Sequence, residues 1–286
     1  ARREGVREKL MLHRPPVVSD GDKIAFRVTR PSEAGIAYTF IEALNEGTQF
    51  DRPARVFHEA AKARQLFHVV NRSTDNLIGT AIVQEAAADA KGHRASAEVG
   101  GMMVHPAARG FGIATLLLQV VIVHELRARR HDPGEAFIAH VVDGNQGPIH
   151  SLLSAGFEDA GPVIVRADDI DAAIAHMIPE GASGVPMHCY RFDPKSLDHL
   201  MHVLWRFVHE DRRLLGNDAH GHAEVDFSDM LDPAWIDAHI DDLRAGQASG
   251  GANLKNRGVE FQLLRESVRI RRAGIGHRGV GQVDDG

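Results

Sequence analysis

The sequence predicts a mixed α/β fold, a sheet flanked by helices over residues 22–193, followed by a helical C-terminal extension. Three observations carry this. β-rich runs alternate with helically spaced apolar residues from residue 23 to residue 192. The turn cluster "STDN" at 73–76 joins two of the runs as a hairpin. After Pro194 strand signals vanish while amphipathic stretches continue.

Taken in order, "KIAFRVTR" (23–30) reads as a strand. "PSEAGIAYTFIEAL" and "PARVFHEAAKARQ" follow as helices, the first opened by a proline and an early glutamate. "LFHVVNR" and "LIGTAIVQEA" form the hairpin, and "ASAEVGGMMVHP" is a strand that ends at Pro106. A helix from about Gly112 to Arg130, apolar on nearly every side, suits burial against a sheet, with "DPGE" as its stop. "AFIAHVV" has the continuous apolar character of a central strand. A short helix "IHSLLSA" then stops at Gly156, and "GPVIVRA" and "PMHCYRF" supply two more strands. Beyond them, "KSLDHLMHVLWRFVHEDRRLL" is expected to be one amphipathic helix. "DPAWIDAHIDDLRAG" is expected to be another, with Asp232 as its cap, Pro233 at its first position and Gly246 at its end. The expected organisation is an N-terminal arm (1–21), the α/β domain (22–193), the helical extension (194–248), and a glycine-rich linker with a basic segment (249–286).

Composition narrows the function classes. A 286-residue chain with 43% hydrophobic and 25% charged residues can bury a large core, and a net charge of −6 argues against a general nucleic-acid binder. A cationic small molecule or basic protein segment suits that charge better. The first 18 residues carry positive charge without an apolar stretch, unlike a secretory signal. The longest apolar run, Ala114 to Val123, is interrupted by Gln119 and is far short of the ~20 residues a membrane span needs. The single cysteine, Cys189, reads as a small strand residue and suits a reducing cytoplasm. Among 18 histidines the "HGH" at 220–222 lacks any recognised ligand spacing, so no metal is expected.

Chemistry concentrates in "VHPAARGFGIATLLL" (104–118), a glycine turn aimed into a helix start, the standard backbone cradle for a phosphate. A P-loop would need Lys and Ser or Thr after the second glycine, but Ile113 and Ala114 stand there. A dinucleotide fingerprint built on Gly110 and Gly112, with Asp143 as its ribose acid, meets Thr115 where its third glycine belongs, and five residues separate Val104 from Gly110. The third reading fits more of the chain. Arg109, Gly112 and Ala114, preceded by Val104-His105-Pro106, resemble motif A of the GCN5-related N-acetyltransferase (GNAT) family. Asn145 and Gly156-Phe157 have the spacing of that family's motif B, so the resemblance covers roughly residues 22 to 193.

That resemblance implies a central, mostly antiparallel sheet and acetyl-CoA as co-substrate. The pyrophosphate would sit on Arg109, Gly110, Phe111, Gly112, Ile113 and Ala114. The pantetheine arm would pair with the backbone of Met103 and Val104, and Asn145 would order it. Glu98 is the candidate base, by its place on the motif A strand; an exposed strand glutamate is the rival reading. Relatives commonly carry a Tyr as general acid four residues before the motif B glycine, where this chain has Leu152, flanked by Ser151 and His150. Ser151 and Tyr38 are the remaining hydroxyl candidates, and His140 is expected to be structural. The expected activity is acetyl transfer to a primary amine, small and cationic in character. Transfer to a protein lysine or N-terminus is one alternative, and a non-catalytic acyl-CoA-binding module is another. Trp205, Phe207 and Trp235 are expected to anchor the extension onto the first domain or onto a second subunit of a homodimer.

Overall fold

The computed structural model describes residues 18–45, 52–86, 95–128, 136–166, 178, 180–193, 196–211, 213–217 and 221–249. Most of the expected arm, the "DPGE" stop and the basic C-terminal segment lie outside these residues. The chain divides into one compact unit of residues 1–240 and a second of residues 241–286.

Within the first unit the architecture is the expected mixed α/β one. Strand β1 (Lys23–Val28) leads into helices α1 (Ala34–Leu44) and α2 (Ala54–Lys62). The hairpin β2 (Leu66–Asn71) and β3 (Asn76–Glu85) follows, then β4 (Ala95–Val104), helix α3 (Ile113–Arg127), β5 (Ala136–Val142), α4 (Gln146–Ser154), β6 (Glu158–Arg166) and β7 (Gly184–Phe192). The remainder is α5 (Leu197–His209), β8 (Leu214–Asn217), β9 (Gly221–Asp226) and α6 (Pro233–Ser249). All the described strands join one nine-stranded sheet in the order β6-β7-β5-β4-β3-β2-β1-β9-β8. Pairing is antiparallel except between β4 and β5 and between β1 and β9.

Helices α1 and α2 cover one face. Their Phe40, Ile41, Leu44 and Phe57 pack with Leu66, Ile82 and Met103 into a single apolar cluster, the burial pattern an amphipathic helix on a sheet requires. Helix α3 packs on β3 and β4, with α4 and α5 also in contact with it. This explains its apolarity on every side: Leu117, Leu118 and Val120 through Val123 are all fully buried.

The C-terminal region differs from the helix-only expectation. The amphipathic helix ends at His209, and "LLGN" and "GHAEVD" form a hairpin that extends the sheet. Strand β9 adds to β1 in parallel, with Ile24 opposite Val225. The Gly21 N–H donates to the His222 carbonyl, the Glu224 N–H to that of Asp22, and Arg72 pairs with Asp226 at 2.8 Å. The local sequence hides this because the partner edge lies about 200 residues upstream, and inward alternation is limited to Ala223 and Val225.

Asp232 caps α6 as expected, accepting the Ala234 N–H at 2.9 Å, but the helix continues past Gly246 to Ser249. Of the aromatic anchors, Trp235 attaches the extension to the first domain, its ring centre 5.5 Å from the Arg127 guanidinium, and the His124 Nδ1–H donates to the Met230 carbonyl; Phe207 stacks on Phe227 at 6.2 Å within the extension itself.

Because this region shares the sheet and the α3 contacts, Phe227→Ala should cost about 3–5 kcal/mol and lower the melting temperature of one cooperative transition. Calorimetry checks it. A separate early transition, with the main one unmoved, would mean the extension folds by itself.

Candidate active site

The glycine turn begins where β4 ends. The His105 N–H donates to the Ile78 carbonyl, and its ring Nδ1 accepts the Ala107 N–H at 3.2 Å, fixing a 3-10 turn over Pro106–Ala108. The chain then exposes Arg109, buries Phe111 and passes through two left-handed glycines, Gly110 at φ +88° and Gly112 at φ +83°. Gly112 is the N-cap of α3 and brings no side chain to cap that helix end. The first N–H groups of α3, those of Ile113 and Ala114 among them, have no carbonyl one turn back to pair with, and they carry the positive end of a 15-residue helix. An anion of pyrophosphate size fits this cradle, and a left-handed backbone is why glycine is needed at both positions.

The second element is a wedge in the sheet. Parallel strands β4 and β5 pair only at Ala95–Ala136, Ala97–Phe137 and Glu98–Ile138. Each outer edge stays held beyond that point, β4 by β3 as far as Val104 opposite Gly79, and β5 by β7 as far as Val142 opposite Met187. Facing inner strand edges that diverge in this way are what an extended ligand needs in order to bind like an added strand. A β-bulge on β4, where Gly101 adopts φ +53° as the register with β3 shifts, bends the strand at the start of the opening.

This geometry corrects one expectation. The His105 N–H points to β3, and backbone direction alternates along a strand, so the groups of Met103 also face β3 and its side chain is buried in the α1–α2 cluster. Met102 and Val104 present their backbone to the wedge instead.

The wedge is lined by Glu98, Met102, His140, Asn145 and Leu152, with Arg52 at its side. Asn145 is the N-cap of α4 and leaves its side chain out of the capping, so its amide is available to the wedge. Leu152 is held by the way α4 ends. The Phe157 N–H donates to the Leu152 carbonyl and the Gly156 N–H to that of Leu153, with Gly156 left-handed at φ +96°, a Schellman closure. Phe157 then packs on Phe192. The Gly-Phe pair is therefore a helix stop that seats Leu152 in the wall.

The hydroxyl candidates lie elsewhere. Ser151 is half-buried and donates to the carbonyl of Gly147 in its own helix at 3.1 Å. Tyr38 packs edge-on against Phe57 at 5.7 Å within the α1–α2 cluster, drawn there by the helix's apolar face. Neither lines the wedge.

Glu98 does, and it has a partner that sequence reading assigned to structure. His140 Nδ1 lies 3.2 Å from Glu98 Oε1. Burial alone would depress the imidazole, but hydrogen bonds to Cys189 and Glu98 and their charges push it up to about 10. Burial would raise the Glu98 carboxyl, and the His140 hydrogen bond and charge, with Arg52, hold it below its usual range. The two are an imidazolium–carboxylate pair at neutral pH. The signal that could have found it is parity: Glu98 faces Ile138, and His140 is two residues further along the same face.

Among the described residues no group of three or more His, Cys, Asp or Glu side chains could hold a metal ion, and no helix is long and apolar enough to cross a membrane.

Residues 37–157 match the model of the acetyltransferase (GNAT) family, a stretch that runs from α1 through both motifs to Phe157. No curated protein sequence matches the chain. Solved structures with a similar fold include the yncA protein of Salmonella typhimurium with its cofactor acetyl-CoA, at 17% identity over 60% of this chain and 94% of that one, TM-score 0.43. Another is the ribosomal-protein-S5-alanine acetyltransferase of Vibrio fischeri, at 15% identity over 60% and 93%, TM-score 0.43. A third is the aminoglycoside acetyltransferase AAC(6')-Ib with coenzyme A and kanamycin, at 11% identity over 62% and 98%, TM-score 0.43. Over residues 37–157 this chain is similar to the acetyltransferase (GNAT) family, and the glycine turn and the Gly-Phe helix stop both lie within that stretch.

Proposed function

We propose that the protein moves an acetyl group from acetyl-CoA to a primary amine of a small molecule, the amine attacking directly in a ternary complex. The observation that supports this most strongly is the wedge between β4 and β5, which carries the Glu98–His140 pair in its wall and has the glycine turn just beyond its open end. Arg109 and the N–H groups of Gly110 to Ala114 hold the pyrophosphate, the backbone of Met102 and Val104 lines the pantetheine arm, and the Asn145 amide orders it. Bound there, acetyl-CoA supplies an activated thioester. A reducing cytoplasm suits such an enzyme with its single cysteine, and a homodimer through the extension is part of the same proposal.

The Glu98–His140 pair serves as a proton relay in this reading. Glu98 accepts the proton that the amine sheds on attack, and His140, across 3.2 Å, supplies one to the departing sulfur. Transfer within the pair restores the imidazolium and the carboxylate, so one proton passes from nitrogen to sulfur. This fills the role left vacant by Leu152.

Acetyl-CoA at a hundredfold excess over its Kd should stabilise the fold by about 2.7 kcal/mol, read as a rise in melting temperature of roughly 5–10 °C. Gly112→Val should remove that rise, since a β-branched residue resists a left-handed backbone. No rise with the native chain would overturn the cofactor assignment.

Glu98→Gln should lower kcat by about a hundredfold or more while keeping the acetyl-CoA shift. Loss of the shift instead would make Glu98 structural.

The pair also sets a pH dependence. His140 is protonated up to about 10 in the fold, against ~6.5 in the unfolded chain. Its contribution to stability is therefore complete below about 6.5 and is lost as pH rises through about 10. Melting temperature should fall more steeply across that window in the native chain than in His140→Gln, and kcat should show an alkaline limb that the variant lacks.

A further inference from the structure

Arg52 stands just ahead of α2, and its guanidinium lies against the bulge of β4. A Cβ built on Gly100 would come 2.7 Å from Arg52 Nη2, and one built on Gly101 would come 3.7 Å from Nη1 and 3.1 Å from Ile82 Cδ1. Two consecutive glycines thus leave a seat for the guanidinium at the point where β4 parts from β5. Any side chain at Gly100 would evict it. The same group lines the wedge beside Glu98 and His140.

The charges at this point do not balance among the described residues. Glu98 is the one carboxylate in the wall, it is hydrogen-bonded to His140, and it also faces the charge of Arg52. Two cations share it. Much of the remaining wall is apolar, with Leu118, Val141, Leu152 and Met187, so a guanidinium seated there carries a desolvation cost that one shared carboxylate offsets in part. A polycationic acceptor would add to the excess. An acceptor that brings its own anion would cancel it and would gain the forked, two-point contact that a guanidinium offers a carboxylate.

We infer that the acceptor is a small amino-carboxylic acid, its amine addressed to Glu98 and its carboxylate to the Arg52 guanidinium seated on Gly100 and Gly101. This rests on the acetyltransferase reading and narrows it. Arg52 is the specificity-determining residue, and it acts on acceptor binding.

The test measures thiol release with the full chain and acetyl-CoA across a panel of free amino acids, each paired with its primary amide and its decarboxylated amine. At least one acid should exceed both partners by tenfold or more in kcat/KM. Arg52→Met should raise KM for that acid by tenfold or more and erase the preference, Arg52→Lys should restore part of it, and both variants should keep the acetyl-CoA melting shift. An amide or decarboxylated amine used as well as its acid overturns the inference. So does an Arg52→Met variant that loses kcat equally on all three members. Acceptor-induced stabilisation of the coenzyme A complex covers acids that bind without turnover. No thiol release and no stabilisation by any acid, with the acetyl-CoA shift intact, overturns the acceptor class alone. Absence of the acetyl-CoA shift overturns the reading beneath it.

Discussion

The site depends on one constraint: β4 and β5 exchange backbone hydrogen bonds over only a few residues, and each is then held apart by its other neighbour. Backbone groups along such an opening need partners other than the neighbouring strand. Here the opening cannot close by sliding, because β3 grips β4 as far as Val104 and β7 grips β5 as far as Val142. The bulge at Gly101 enforces the divergence, since the extra residue bends β4 just as pairing to β5 stops. The proposed site lies along that opening, with the glycine turn beyond one end and Glu98 at the vertex.

Rigidity around the wedge comes from α3. A helix buried on all sides cannot tilt without disturbing several layers, so the N–H groups at its start keep a fixed direction. The C-terminal region contributes to that burial: α5 packs against α3, and Trp235 and Met230 engage Arg127 and His124 near its end. Leu215 of the β8–β9 hairpin also lies within van der Waals reach of a Cβ built on Gly112. The extension is thus a brace for the glycine turn as well as an added sheet edge.

Electrostatics divide the site into two environments. The glycine turn is exposed and presents backbone dipoles, the kind of surface that suits a hydrated, doubly anionic group. The vertex is secluded and uses ionised side chains, where a small displacement changes the balance. Glu98 and His140 stabilise one another's charged forms against burial. That mutual support keeps a proton donor and a proton acceptor adjacent at neutral pH.

Much of this was legible in the amino-acid order, because the deciding interactions there are local. Left-handed glycines, a helix start, a Gly-Phe stop and strand periodicity depend on residues within a few positions of one another, so the glycine turn, the order of elements through residue 192 and the candidacy of Glu98 could be read directly. What the tertiary structure decided concerns residues far apart in the chain. His140 gained a role from a carboxylate 42 positions away. Arg52 entered the site through glycines on another strand, Tyr38 left it for the core, and Met103 yielded its place to Met102 through strand parity. The β8–β9 hairpin became sheet because an edge near residue 24 was free to receive it. Local sequence sets the conformation of a backbone segment; which side chains meet, and with what charge, is set by packing between segments, and the chemistry of this site depends on that packing.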